Sequence, residues 1–236
     1  MNQFLNITTS DFKLIFRDPT LRIFFALPLI IYALTLFFLP YLVGRYEGFG
    51  QYLPYILVVV AIENTQMFSF IYSMVLIEEK ETMVAKIYGV LPVSKTGFVL
   101  SRLVAPTVIT VLLNFILLLL QPFYALPVLA CLLFSIVAAL IVPAYILGVA
   151  VLCKNKMEGM VWVKVFNILV IIPVVAFFIP DTFARLFGIF PTYWAFQGLN
   201  NIIEGNMYSL FLLVGMLYLV GLLFVGLRKF AVNHFV

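Results

Sequence analysis

From Leu103 to Cys153 the chain carries no charged residue. A Gln121-Pro122-Phe123-Tyr124 turn divides this stretch into two apolar runs. The first is near the roughly 20 residues a helix needs to cross a bilayer, and the second is longer than that, so that it should tilt or kink at Pro143. Comparable runs precede and follow it, giving six spans at about residues 22–43, 53–77, 103–120, 125–152, 161–179 and 208–227. Hydrocarbon offers backbone N–H and C=O groups no water, so each run must satisfy its own hydrogen bonds as a helix. The fold class is therefore all-α and integral to a membrane. Composition agrees: 65% of residues are hydrophobic and 10% charged, with a mean hydropathy of +1.18. A soluble domain carries about 25% charged residues. The spans occupy most of the 236 residues and leave only short connections. A single transmembrane domain is expected, and any nucleotide-driven work needs a second polypeptide.

Charge placement sets the expected orientation. With both termini inside, all of the fourteen cations except Arg45 and Arg185 fall on the cytoplasmic side. That is the positive-inside pattern of a multi-pass protein in a plasma or inner membrane. Asp11, Lys13, Arg17 and Asp18 precede the first apolar run, which argues against a cleaved signal peptide. Cys131 and Cys153 are too far apart along one helix to bond. The single histidine, His234, stands near the end of the chain. Metal binding and His-based catalysis have little to work with, and neither an enzyme nor a nucleic-acid partner is expected.

Three shorter segments are informative. Residues 8–18 place Phe12, Ile15 and Phe16 on one face and Lys13 and Arg17 on another. Pro19 stops the segment, and Thr8 with Asp11 has capping-box spacing. This reads as an interfacial helix on the cytoplasmic leaflet, or else as an unstructured tail. Between spans two and three, residues 79–90 read as a short amphipathic helix. Met83, Val84, Ile87, Tyr88 and Leu91 recur at helical spacing, and Glu79, Thr82 and Lys86 lie opposite. Pro92 ends it. Either a partner docks there or it is a solvated loop whose cations fix topology. Between spans five and six, Phe183–Phe187 and Thr192–Ile203 are apolar, too short to cross, and separated by Pro191. They read as a re-entrant pair, with Tyr193-Trp194 suited to the aromatic belt.

At membrane depth Glu63 stands near the middle of span two, with Gln66, Met67 and Phe70 on its face. An ionised acid there costs about 2.5–3.5 kcal/mol, so it should face protein or water. Asn114 and Asn167 add polar groups in spans three and five. These six residues could line a path for an amphiphilic or aromatic cation. Equally, the polar ones could bond neighbouring helices, or Glu63 could carry a proton.

One family shares this whole plan. A chain of this size with an interfacial first helix, a charged loop between spans two and three and a re-entrant pair before span six resembles an ABC-2-type exporter permease. The loop carries the likeness: Glu78-Glu79-Lys80-Glu81, a helix over 82–91, Pro92-Val93-Ser94, and Arg102 opening span three. It is most similar to the small fluoroquinolone-type drug export permeases, although Glu81-Thr82 stands where many relatives have Gly-Thr. The resemblance implies a second permease copy or a paralogous one, and cytoplasmic ATP-binding-cassette subunits that hold the ATP and magnesium. It makes residues 79–91 a coupling helix. Glu79, Glu81 and Lys86 would make its polar contacts with the ATPase. Ile87, Tyr88 and Leu91 would pack it down, Pro92 would close it, and Lys13 and Arg17 would ride on the ATPase edge. Spans two and five of each copy would line the path, bringing Glu63 and Asn167 near a two-fold axis. A proton-coupled transporter using Glu63, or a membrane assembly scaffold, are the alternatives.

Overall fold

The computed structural model describes residues 2–82 and 95–233, and every regular element among them is helical. In chain order these are α1 (Asn2–Arg17), α2 (Pro19–Ala33), α3 (Leu39–Arg45), α4 (Leu53–Glu81) and α5 (Lys95–Leu120). There follow α6 (Val128–Ala139), α7 (Ile141–Leu152), α8 (Lys156–Ile171), α9 (Asp181–Ala184), α10 (Pro191–Glu204) and α11 (Ser209–Asn233). Among the described residues six stretches are long and apolar enough to cross a membrane: Pro19–Arg45, Gly48–Glu81, Val99–Leu120, Val128–Leu152, Lys156–Phe178 and Ser209–Phe230. The protein is an all-helical, multi-pass membrane protein.

Spans two and four form its centre. Two-thirds (67%) of the most apolar part of each is buried in protein, against 17–33% in the other four. Helix α4 packs on α7 and α8, and also on α2 and α5, while α7 packs on α11. Small polar side chains let α4 sit this deep. Thr65, Ser69 and Ser73 recur at every fourth residue, and each hydroxyl donates to the carbonyl four residues back. Such residues allow close helix approach without leaving an unsatisfied group in hydrocarbon.

Two prolines shape the spans. In span one the segment Leu34–Phe38 between α2 and α3 is π-helical, and the Leu39 N–H donates to Leu34 O. Pro40 follows at the start of α3 and lacks the N–H that a regular turn would use, so the widened turn absorbs the mismatch. Span four breaks at Leu140, between α6 and α7. Pro143 lies three residues on and has no N–H to give the carbonyl of Ala139 one turn earlier.

Several boundaries differ from those read in the sequence. Helix α1 begins by Asn2, so Thr8 and Asp11 lie inside it and form no capping box. The N-cap belongs to Asp18, which accepts from the Thr20 and Leu21 N–H groups ahead of α2. Span two continues without interruption through Glu81, so Glu78, Glu79 and Glu81 belong to its last turns and not to a separate loop helix. Span five starts earlier, at Lys156, because Asn155 caps it by accepting from the Glu158 N–H. After that span, α9 and the 3-10 turn Arg185–Ile189 lead into α10, which packs on α11 and α6. Gly205 ends α10 with φ of 73°, a left-handed conformation that glycine adopts without steric cost.

Candidate functional site

The end of span two and the start of span three are joined through charge. Arg102 of α5 is 3% exposed and sits between two buried carboxylates. One is Glu79 of α4, with an N–O distance of 2.5 Å, and the other is Asp11 of α1, at 3.4 Å. Three elements distant in sequence therefore meet at one guanidinium, whose planar fork can serve two acids. Two carboxylates against one cation leave a surplus negative charge in a dry setting. Burial accordingly pushes the Asp11 carboxyl up to about 7; Arg102 opposes that rise and Glu79 adds to it. Tyr72 of α4 stands close enough to feel both Asp11 and Arg102.

A second set of contacts fastens the same region to spans four and five. Lys80 donates to the Cys153 carbonyl at 2.7 Å and the Ala150 carbonyl at 3.3 Å, closing the C-terminal end of α7. Lys156 at the start of α8 pairs with Asp18 at 3.4 Å and Glu78 at 3.7 Å. Its backbone N–H donates to Glu81. The turns on either side of residues 83–94 are thus held by buried and half-buried ion pairs.

At mid-depth a polar belt crosses the bundle. Asn64 donates to the Tyr32 hydroxyl and to Asn114 Oδ1, both at 3.2 Å, and Asn114 donates to Thr65 Oγ1 at 3.3 Å. On the other side of α4, Gln66 donates to the Asn167 carbonyl at 3.1 Å. The Tyr145 hydroxyl shares its one proton between Asn167 Oδ1 at 2.7 Å and the Val163 carbonyl at 3.0 Å. Spans one to five are tied together by these bonds. Glu63 stands apart: half-buried and without a hydrogen-bond or ion-pair partner among the described residues, it lines a cleft of about 250 Å³ between spans one and two. The rest of that cleft is apolar except for Thr35, which already bonds the Ile31 carbonyl.

The family described as "Fluoroquinolones export permease protein Rv2686c-like" matches residues 11–227. The chain belongs to this family. No curated protein and no solved structure matches it.

Within this permease the residues singled out in the sequence fall in three groups. Glu63 reaches an open cleft, while Met67 and Phe70 are half-buried, Phe70 packing on Phe24 at a centroid distance of 4.4 Å. Gln66, Asn114 and Asn167 are engaged with other helices, Asn114 being wholly buried. They are better placed to hold spans together than to meet cargo. Glu79 faces inward onto Arg102, so the ion pair it makes lies within the chain. Glu81 is exposed and accepts from Lys156 N–H, and Lys13 and Arg17 are exposed on α1. Lys86, Ile87, Tyr88, Leu91 and Pro92 lie outside the described residues. Sequence reasoning missed Asn64, Tyr32 and Tyr145. A hydroxyl or amide in an apolar run signals a partner, but which helix supplies it follows only from the packing.

Proposed function

We propose that this chain is the membrane-spanning permease subunit of an ATP-driven exporter, moving an amphiphilic, drug-like compound outward with energy from a separate ATPase. Membership of a drug-export permease family supports the cargo class and direction. The observation that carries the coupling is the Asp11–Arg102–Glu79 cluster. A force applied between residues 83 and 94 reaches α4 and α5 through their rigid last and first turns. The cluster passes it to α1, and Lys80 and Lys156 pass it to spans four and five. Packed helices joined in this way move as bodies rather than flexing. In this reading both termini are cytoplasmic, and ATP and magnesium are held by the partner subunit. Glu81 and Lys86 contact the ATPase, and Ile87, Tyr88 and Leu91 seat the segment against it, closed by Pro92. Lys13 and Arg17 lie along its edge. A second copy or a paralogous permease completes the path.

The test is co-purification. With Tyr88→Asp and Leu91→Asp together, the ATPase subunit should be lost from pull-downs while the permease still inserts in the membrane. Undiminished recovery of the ATPase argues against coupling through this segment.

The lone Glu63 carboxylate favours one second reading, proton-coupled export. Reconstituted without any ATPase, the chain would then drive efflux from a pH gradient, and Glu63→Gln would abolish it. On the leading reading no such efflux occurs, and Glu63→Gln changes which compounds are exported, or how fast, at unchanged expression.

A further inference from the structure

At the opposite end of the bundle from the ion cluster, a cavity of about 440 Å³ opens between the start of span two, the end of span five, α9 and α10. That is within the range of small-molecule sites, roughly 300–1,000 Å³. Its walls combine aromatic faces with acids. Tyr55 and Phe177 face each other at a centroid distance of 4.8 Å, and Tyr193 lies on the α10 side. Asp181 and Glu204 stand at its edge against a single cation, Arg185. Glu204 is held in place from both sides, Oε1 accepting from Asn200 at 2.8 Å and Oε2 from Asn206 at 2.9 Å. Asn200 lines the same cavity and is only 9% exposed, yet its Oδ1 has no hydrogen-bond partner among the described residues. That oxygen is enclosed by protein, so what Asn200 contributes to the cavity is its amide N–H, which fixes the Glu204 carboxylate.

We infer that this cavity is a binding site for a protonated aromatic amine. The aromatic rings take the flat apolar body and the face of the cation. Asp181 and Glu204 supply the countercharge, Glu204 being held in place by Asn200. A wholly apolar ligand leaves the two carboxylates without a full counterion, and an anion meets both of them. On the export reading the site is a last station before release, and to that extent it rests on that reading. Binding itself needs no ATPase.

The experiment uses the full chain in nanodiscs, with quinacrine as the probe and fluorescence polarisation as the readout. Asp181→Asn with Glu204→Gln should weaken binding about tenfold, equivalent to about 1.4 kcal/mol. Asn200→Leu should weaken it too, by releasing Glu204. Wild-type affinity in the double variant overturns the inference, as does equal affinity for an uncharged acridine of the same shape. If the double variant does not assemble, an azido-acridine amine photolinked to the wild-type chain decides. Label on residues 191–206 supports the site, and label confined elsewhere overturns it. The Tyr88/Leu91 variant retains quinacrine binding even as it loses the ATPase, so the two readings fail separately.

Discussion

Replacing Arg102 with alanine is expected to destabilise the permease by about 3–5 kcal/mol, the cost of leaving a buried ion cluster without its central partner. The substitution strands two carboxylates, Asp11 and Glu79, each under a tenth exposed. The readout is the melting temperature of the detergent-solubilised chain, followed by size-exclusion chromatography. Arg102→Lys should recover only part of the loss, because a single ammonium does not present two parallel donors to two acids. Asp11→Asn should behave in the opposite way. Its carboxyl is held up to about 7 by burial, against a value of 3.8 when unburied. Between those values the folded chain binds a proton that the unfolded chain has released. Stability therefore falls as pH rises through the window and stays reduced above it. Asp11→Asn should match the wild type below about pH 4, exceed it above pH 8, and show a flatter dependence between. Parallel pH profiles for the two proteins would rule out Asp11 as the titrating group.

Gly148→Leu is expected to cost about 1–3 kcal/mol or more through overpacking, and to separate spans four and five. A Cβ at Gly148 would stand 2.7 Å from two atoms of the Phe166 ring. That ring also packs on Tyr145 at a centroid distance of 5.2 Å, which limits its retreat. Displacing it disturbs the Tyr145 hydroxyl and with it the bonds to Asn167 and Val163. Engineered cysteines across the two spans give the measurement, with cross-linking yield expected to drop in the variant. Adding Phe166→Ala should restore much of the yield by making room. An unchanged yield in Gly148→Leu alone would mean that the two helices do not meet there.

The spans were legible because each needs only a long apolar run, a local property of the chain. Their depth in the bundle was less so. Span two contains Asn64, Thr65, Gln66, Ser69 and Ser73, and a hydropathy reading ranks it below its neighbours, yet it is among the most enclosed. Its polar groups are there because it is enclosed: they take partners on spans one, three and five. The last turns of span two were misassigned for a related reason. Glu78 to Glu81 looks like the opening of a surface helix when only neighbouring residues are considered. Arg102 and Asp11, which make Glu79 a buried residue, lie 23 and 68 positions away, and no spacing rule connects them. Asp11 matched a capping box because Thr8-x-x-Asp11 satisfies that pattern, but the helix had already begun at Asn2.

The contact between Lys80 and the final carbonyls of α7 bears on how the chain is assembled. Span two leaves the ribosome well before span four, so its lysine has no acceptor during early insertion. The hairpin of spans three and four must swing back across span two before Ala150 and Cys153 arrive. The hydroxyls of span two bond their own helix from the start. Asn64 finds Tyr32 of span one and then Asn114 of span three, and Gln66 waits longest, for Asn167 of span five. Completion of α7 is therefore the event that gives Lys80 its acceptors, and spans five and six close the bundle after it.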